Sequence, residues 1–458
     1  MLPRLTASGA EAAVLGLGRS GVAATRLLRR WGVPVYASDA GAGALYDRTA
    51  DQLRAEGATV EVGGHDLSRI ARAGLCVVSP GVPPSTPALL AAREADVPVR
   101  AEADLGLEAL AGVPYIAITG TNGKTTTTAL AGHLLATAGR RVATCGNIGT
   151  PLSEVALGDR PECMAVELSS FQLHDMVLTR PTVGVLTNLS PDHLDRYDTL
   201  EEYYADKRRL FRNATPDSTW VVNADDPASQ DLAAGVPGTT LRFSTRSRSD
   251  GWYDHPLDRL RIGPEEIMPR GDLHLFGDHN AANALAAALA VHRTGVALAL
   301  IAEGLRTFRA LAHRMEPIGE VDGVLYINDS KATNVASTEV AVAALARPFV
   351  LLLGGRHKGE PYTRLAPYLK KRCRAVVAFG EAGPIVAADL RDQVPLEAVT
   401  SGDFNAVLAR ARALARPGDA VLLSPACSSY DMFKNYEQRG ARFREIVAGW
   451  SAALEATR

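Results

Sequence analysis

Cysteine is scarce in this chain. Its 458 residues include five, Cys76, Cys145, Cys163, Cys373 and Cys427, set far apart with no C-x-x-C pair. That spacing excludes a disulfide framework or a cysteine-based zinc site and suits small buried hydrophobes. Only Cys427, in S-P-A-C-S-S, lies near polar loop chemistry, and with no histidine beside it in sequence it reads as structural. Charge of one sign is also lacking. The 49 Lys+Arg and 51 Asp+Glu give a formal net charge of −2 with no long like-charge run, so nothing points to a nucleic-acid or anionic-membrane surface, and a small substrate is expected. No long uninterrupted apolar run occurs. The most apolar stretch, residues 281–300, is broken by His292 and Arg293 and reads as packed helices, not a membrane span. No basic segment followed by an apolar one opens the chain, so no secretion signal and a cytoplasmic location are expected.

What is present is the composition of a soluble globular protein, 47% hydrophobic and 22% charged. The chain is too long for one hydrophobic core, and three domains are expected. Its organising stretch is residues 113–128, V-P-Y-I-A-I-T-G-T-N-G-K-T-T-T-T. A strand that ends in glycines and opens a helix aims several backbone N–H groups at one spot, where the helix dipole adds positive charge. Phosphate binds such a spot. Gly120, Thr121, Asn122 and Gly123 would cradle it, Lys124 would reach the β- and γ-phosphates, and the Thr125 hydroxyl would ligate Mg²⁺. Ile118 stands where the strict P-loop pattern wants glycine, so the loop is a shortened G-x-x-G-K-T. ATP or GTP is the expected nucleotide.

Ahead of this loop, residues 11–18 form a short strand leading into G-L-G-R-S-G (Gly16, Gly18, Gly21), a helix to Trp31 and a strand over 33–38 ending at Asp39. The pattern is a βαβ dinucleotide fingerprint with its acidic residue about 20 residues on. Alone it suggests NAD. The same turn can hold any diphosphate, including that of a UDP-sugar, or can serve helix packing only. A strand over 75–78, closed by Ser79-Pro80-Gly81, and a helix over 86–95 complete a first domain, 1–104.

The second domain, 105–311, alternates strands and helices. Its near-continuous apolar strands, 163–168 and 183–189, are expected to be parallel and covered on both faces. Glu167 closes one of them, and S-P-D-H-L-D (190–195) closes another. A buried Glu is costly without a partner, and Mg²⁺ is the natural one; His193 beside Asp192 is as well suited to a metal as to a loop contact. The helix over 200–213 carries Lys207, Arg208 and Arg209, whose plain reading is a solvated face. Residues 239–276 suggest only a few short strands. Gly277-Asp278-His279-Asn280 then caps an Ala-rich helix. The third domain, 312–458, repeats the alternation with strands over 324–328, 349–353, 375–379 and 420–423. Polar segments end three of them: Asp329-Ser330-Lys331-Ala332-Thr333-Asn334, Gly354-Gly355-Arg356-His357-Lys358 and Ser424-Pro425-Ala426-Cys427-Ser428. One cleft with Lys331, Arg356 and Lys358 suits a small anionic substrate.

These segments together resemble the Mur ligases of peptidoglycan synthesis over nearly the whole chain. The motifs are Gly120–Thr125, E-L-S-S-F-Q-L (167–173), D-H-L-D-R-Y (192–197), Asn280-Ala281-Ala282-Asn283, His313-Arg314, D-S-K-A-T-N (329–334) and S-P-A-C (424–427) leading to Phe433-Lys434-Asn435. The resemblance implies an α/β fold in three domains: a Rossmann-like N-terminal domain holding UDP, a central P-loop ATPase-like parallel-sheet domain and a Rossmann-like C-terminal domain. It puts Gly18, Arg19, Ser20 and Asp39 at the uridine diphosphate, and Ser79, Gly81, Asn147, Gln172 and His193 at the muramoyl-alanine portion or its metal. Thr125 and Glu167 match ligands of one Mg²⁺, and His193 and Lys207 those of a second, the lysine carbamylated. A carbamate supplies the hard anionic oxygen that an ammonium cannot. Thr126 joins the ATP loop, and Asn280, Asn283, His313, Arg314 and Asp329 match adenosine and phosphate contacts. Lys331 would stabilise phosphate, and Thr333, Lys358, Ser424 and Phe433 would hold D-glutamate.

The activity so implied is an ATP-dependent amide ligase, acting as a monomer without nucleic acid or membrane, that adds D-glutamate to UDP-N-acetylmuramoyl-L-alanine. An acyl phosphate forms on the alanine carboxylate, Lys124 and two Mg²⁺ ions neutralise the transferring phosphoryl group, and the amine attacks. No residue stands out as the base. Other readings stay open: a family member adding L-alanine, L-lysine or diaminopimelate; an NAD-dependent dehydrogenase, which leaves the phosphate loop unexplained; and a noncatalytic nucleotide switch, which makes the third-domain cations superfluous.

Overall fold

The structure is a computed structural model that describes residues 2–192 and 196–456. Three sheets organise it. The first has strands β1 (Ala12–Leu15), β2 (Val35–Asp39), β3 (Thr59–Val62), β4 (Leu75–Val78) and β5 (Val99–Ala101), all parallel, in the order β3-β2-β1-β4-β5. The order reverses at β1, between β2 and β4, and a ligand crevice in such sheets opens beyond the strand ends at that point. Gly16 and Gly21 are required there: a Cβ on Gly21 would sit 1.7 Å from the Gly16 carbonyl oxygen, and Gly16 has φ +93°.

The second sheet contains β6 (Tyr115–Thr119), β7 (Val142–Gly146), β8 (Cys163–Glu167), β9 (Val183–Leu186), β10 (Thr219–Asn223), β11 (Thr239–Ser244), β12 (Gly251–Asp254), β13 (Arg259–Ile262) and β14 (Glu265–Pro269), in the order β14-β13-β12-β11-β10-β9-β6-β8-β7. Strands β6 to β12 pair in parallel, but β12, β13 and β14 form an antiparallel edge. The runs expected to be parallel, 163–168 and 183–189, are so, and antiparallel pairing is confined to β12–β14, in the region where only a few short strands are expected. The central strands are covered on both faces, with Ile116, Ala117, Met164, Val166 and Val185 at 1% exposure or less.

These two sheets belong to one compact unit, 1–273 with 281–307, and the rest of the chain, 274–280 with 308–458, forms the other. The second unit holds the third sheet: β15 (Glu316–Val321), β16 (Val324–Asn328), β17 (Phe349–Gly354), β18 (Cys373–Phe379), β19 (Leu396–Val399) and β20 (Ala420–Leu423), ordered β15-β16-β20-β17-β18-β19. All neighbours are parallel except β15 and β16. The last strand in sequence inserts between the second and third, so the loops after β16, β20 and β17 stand side by side. The apolar 281–300 stretch is the helix Asp278–His292 plus the start of Leu298–Thr307, and among the described residues no helix is long and apolar enough to cross a membrane.

Candidate active site

The phosphate loop joins β6 to the helix Lys124–Thr137. Gly120 has φ +144°, and a Cβ there would lie 2.0 Å from Thr187 Oγ1; Gly123 has φ +80°, and a Cβ would lie 2.3 Å from Asn283 Oδ1. Both glycines are thus fixed by backbone conformation and by close neighbours. The segment after β9 braces the loop. Thr121 N–H donates to the Asn188 carbonyl at 2.8 Å, Asn122 N–H to Asn188 Oδ1 at 2.9 Å, and Thr187 Oγ1 to the Asn122 carbonyl at 2.6 Å. Tyr203 Oη lies 3.1 Å from Thr121 Oγ1. Asn283 accepts from Thr127 Oγ1 at 3.3 Å, which places one expected nucleotide residue beside the loop. Thr125 and Thr126 open the helix, as the motif predicts.

Two lysines meet on one carbonyl. Lys124 Nζ donates to the Gly120 and Thr121 carbonyls at 2.9 and 2.7 Å, and Lys207 Nζ donates to the same Gly120 oxygen at 2.7 Å. Lys207 is 1% exposed, its Nζ 4.7 Å from the centroid of the Tyr203 ring. The solvated-face reading therefore fails for this residue, because the helix Leu200–Arg208 turns Tyr203, Asp206 and Lys207 inward and exposes Arg208. Burial drives the Lys207 pKa well below the ordinary lysine value, and the Lys124 charge adds to the fall; Asp192, Asp206 and Glu167 oppose it.

Glu167, at the end of β8, is 2% exposed. Its Oε1 accepts from Asn147 Nδ2 at 2.7 Å, and its buried Oε2 has no hydrogen-bond partner among the described residues. A carboxylate oxygen left so is costly unless a cation completes it. With the Thr125 hydroxyl at the helix start, the donors fit a hard divalent ion. His193 lies outside the described residues, and among those described no group of three or more His, Cys, Asp or Glu is placed to hold a metal.

The expected uridine-side residues gather at the ends of β1, β2 and β4. Gly18 caps the helix Arg19–Arg30, whose first turn contains Ser20. Asp39 accepts from the Leu17 and Gly41 amides at 2.7 Å each, so it shapes the turn itself. Arg19 Nη1 donates to the Gly149 carbonyl at 2.8 Å and pairs with Glu154 across an exposed surface. A cavity of about 770 Å³ is lined by Ser79, Pro80, Phe171, Gln172, His174 and Arg196 among others. Gly81, next to Pro80, is exposed. Gln172 accepts from Ser169 N–H at 2.9 Å in a capping box, which anchors its carbonyl. Arg196 covers the Phe171 ring at 3.7 Å and donates to the Pro80 and Val82 carbonyls at 3.1 and 2.7 Å.

In the second unit the loops after β16, β17 and β20 form one cluster, at the switch point of their sheet. Asp329 is buried. Its carboxylate accepts from Ser424 Oγ at 2.8 Å and from Met315 N–H at 3.1 Å, and burial pushes its pKa up to about 7. His313 has φ +64°, and its Nδ1 accepts from Asn328 Nδ2 at 3.0 Å. Arg314 follows it, and its charge acts on Asp329. Lys331 Nζ lies 5.0 Å from the Tyr436 ring centroid, and Thr333 stands two residues on, half-buried. Lys358 is exposed. Asn280 donates to the Phe276 carbonyl at 2.9 Å within its own unit.

Two residues expected at D-glutamate pack within their own unit. Ser424 is fully buried behind Asp329 and Thr338, and Phe433 packs edge-on against Phe404 at 5.1 Å. Sequence reasoning missed Arg439, which is 0% exposed. Its guanidinium donates to Ser330 Oγ and the Ser330 carbonyl at 2.9 and 2.8 Å and to the Cys427 and Ser428 carbonyls at 3.1 and 3.4 Å, tying two strand-end loops together. Burial lowers its pKa to about 10, so it remains a cation near neutral pH. An arginine within a helix of mixed charge carries no sequence signal for such a role. Asn188 had one: it directly follows an apolar strand beside the phosphate loop.

This chain belongs to the Mur ligase family. Residues 10–101 match the Mur ligase MurD-like N-terminal domain, 118–291 the Mur ligase middle domain and 313–427 the Mur ligase glutamate ligase domain. Proteins named UDP-N-acetylmuramoylalanine–D-glutamate ligase are similar over nearly their whole length. That of Acidobacterium capsulatum is 40% identical over 446 residues, 96% of each chain, and that of Anaeromyxobacter dehalogenans is 42% identical over 454 residues, 96% of this chain and 97% of the other. The solved UDP-N-acetylmuramate-alanine ligase MurC of Thermotoga maritima shares the fold with a TM-score of 0.62 at 18% identity, covering 96% of this chain and 99% of its own.

Proposed function

We propose that this chain is the ATP-dependent ligase that adds D-glutamate to UDP-N-acetylmuramoyl-L-alanine in peptidoglycan precursor synthesis. The observation that carries the reading is the full-length match to relatives of that name, at about 40% identity. We assign 1–104 to the UDP-linked substrate, 105–311 to ATP and 312–458 to D-glutamate, with the chain acting as a monomer in the cytoplasm.

An amide does not form usefully from a carboxylate and an amine in water, so the carboxylate must first be activated. The γ-phosphoryl group of ATP passes to the substrate alanine carboxylate, giving an acyl phosphate; the D-glutamate amine then attacks its carbonyl and inorganic phosphate leaves. Lys124 and the loop N–H groups hold the phosphates in line and offset their charge. The assigned residues for UDP are Gly18, Arg19, Ser20 and Asp39; for the sugar-alanine portion Ser79, Gly81, Asn147 and Gln172; for adenosine and phosphate Asn280, Asn283, His313, Arg314 and Asp329. Lys331 faces phosphate, and Thr333 and Lys358 hold D-glutamate, with Ser424 and Phe433 supporting that cleft from behind.

Thr125 and Glu167 would hold one Mg²⁺, and His193 with carbamylated Lys207 a second; bound there, the ions supply charge neutralisation. Burial that lowers the Lys207 pKa favours the unprotonated amine, which can attack carbon dioxide, forming an N–C bond with release of a proton. In ¹³C-bicarbonate, a carbamate carbon resonance is expected from the intact protein and not from Lys207→Arg; a spectrum without it in the intact protein overturns the carbamate assignment. For the activity, phosphate release is measured with ATP, Mg²⁺ and UDP-N-acetylmuramoyl-L-alanine while D-glutamate, L-glutamate, L-lysine or diaminopimelate is supplied in turn. Release with D-glutamate alone is expected, and release with a different amino acid would reassign the third domain.

A further inference from the structure

The loops after β17 and β20 are joined by a side-chain clasp to which the reaction above assigns no role. Tyr362 is 1% exposed and Cys427 0%. The Tyr362 hydroxyl lies 3.0 Å from His357 Nδ1 and 2.9 Å from Cys427 Sγ. In the tautomer whose Nδ1 carries no proton, the imidazole accepts from the phenol and the S–H is left to donate to the phenol oxygen, a thiol being the poorer acceptor. Burial holds the Cys427 thiol up at about 11 and raises the Tyr362 phenol as well, so both keep their protons at neutral pH.

The segment that this clasp restrains has little else to fix it. Gly354, Gly355 and Gly359 take φ +151°, +130° and +84°, conformations that only glycine enters easily. Arg356 N–H donates to the Ser428 carbonyl at 2.9 Å, and the next backbone anchor is Tyr362 N–H on Asp389 at 2.9 Å. Between them, among the described residues, no backbone amide from His357 to Glu360 donates a hydrogen bond. The Arg356–Glu381 pair is half exposed on both sides and restrains little. Lys358 is exposed and has no hydrogen bond or ion pair among the described residues, though its charge reaches the Cys427 thiol.

We propose that Tyr362 is a positioning residue: it fastens His357, and with it Lys358, to the loop after β20, so that the lysine is preset for the carboxylate of the incoming amino acid. This role for Lys358 rests on the reading of the cleft as the D-glutamate site. Tyr362→Phe removes both hydrogen bonds of the clasp and loosens the geometry in which the loop binds, so it is expected to raise KM for D-glutamate about five- to tenfold while kcat and the KM values for ATP and the UDP-linked substrate change less than about twofold. His357→Asn keeps an acceptor near the Nδ1 position and should retain most of the D-glutamate affinity; His357→Leu should match Tyr362→Phe. Hydrogen exchange in the full chain should quicken at the hydrogen-bonded amides of Gly355 and Arg356 in Tyr362→Phe and His357→Leu, and not in His357→Asn. Equal D-glutamate KM in all variants, in an enzyme that does release phosphate with D-glutamate, overturns the positioning role and leaves the activity standing. Quickened exchange in a protein whose wild type shows no D-glutamate-dependent release would overturn the proposed substrate and leave the clasp in place. Unchanged exchange in Tyr362→Phe contradicts the clasp itself.

Discussion

Both clefts bury charge at the carboxyl ends of parallel strands, and they treat it differently. Around the phosphate loop, Glu167 keeps one buried carboxylate oxygen without a hydrogen-bond partner among the described residues, and Lys207, its pKa lowered by burial, places its amine on a carbonyl already shared by Lys124. In the third sheet, Arg439 makes four bonds to carbonyls and a hydroxyl, and both oxygens of Asp329 accept hydrogen bonds. The first arrangement lacks something that a bound cation and nucleotide would supply. The second is complete without a ligand and acts as the frame on which substrate-facing loops are hung. Buried charge alone thus does not mark a ligand site; the count of unsatisfied atoms separates the two cases.

The comparison breaks most visibly at Lys124. Lys124→Ala should lower the rate of ATP-dependent phosphate release by about 10³-fold, because it removes the cation that offsets phosphate charge, while the thermal transition should fall only slightly with the loss of two hydrogen bonds to the Gly120 and Thr121 carbonyls. Arg439→Lys should act oppositely. Losing the forked guanidinium leaves buried carbonyls unsatisfied, and a fall of about 2–4 kcal/mol in denaturant-derived stability is expected. Glu167→Gln sharpens the contrast further: it keeps the acceptor for Asn147 and removes the unpaired charge, so stability in metal-free buffer should rise by about 1–2 kcal/mol although activity falls. A loss of stability there would mean that the orphan oxygen is satisfied in the absence of metal.

A further effect concerns Asp329 and pH. Its folded pKa of about 7 lies above the ordinary aspartate value of 3.8. The folded state therefore holds the proton more tightly than the unfolded chain, and its contribution to stability is full below pH 3.8 and lost as pH rises toward 7. Asp329→Asn should gain on the intact chain across that window, measured as the difference between their thermal midpoints, and the gain should level off above it.

Much of this was legible in the sequence because the motifs sit where strands end. Gly120, Glu167, Asp329, Gly354 and Ser424 each close or follow an apolar run that the structure makes a parallel strand, and the strand-end rule brings them to the ligand side without further information. Other features were hidden for physical reasons. Lys207 looked solvated because its helix has basic neighbours and its inward turn depends on packing against Tyr203. Ser424 and Phe433 match a motif by position, but burial behind Asp329 and against Phe404 is a property of the three-dimensional arrangement. The antiparallel β13 and β14 lie at the sheet edge, where alternation is short and weak. Arg439 was invisible because nothing in a helical sequence marks which arginine will find four buried acceptors.

The most direct test of the account follows an oxygen atom. UDP-N-acetylmuramoyl-L-alanine labelled with ¹⁸O in its alanine carboxylate is incubated with the protein, ATP, Mg²⁺ and D-glutamate, and the inorganic phosphate is analysed by mass. If the carboxylate is activated as an acyl phosphate, phosphate formed with the amide carries one labelled oxygen from the substrate. Unlabelled phosphate, formed at the same rate with or without D-glutamate, would show that the chain only hydrolyses ATP and would contradict the ligase reading.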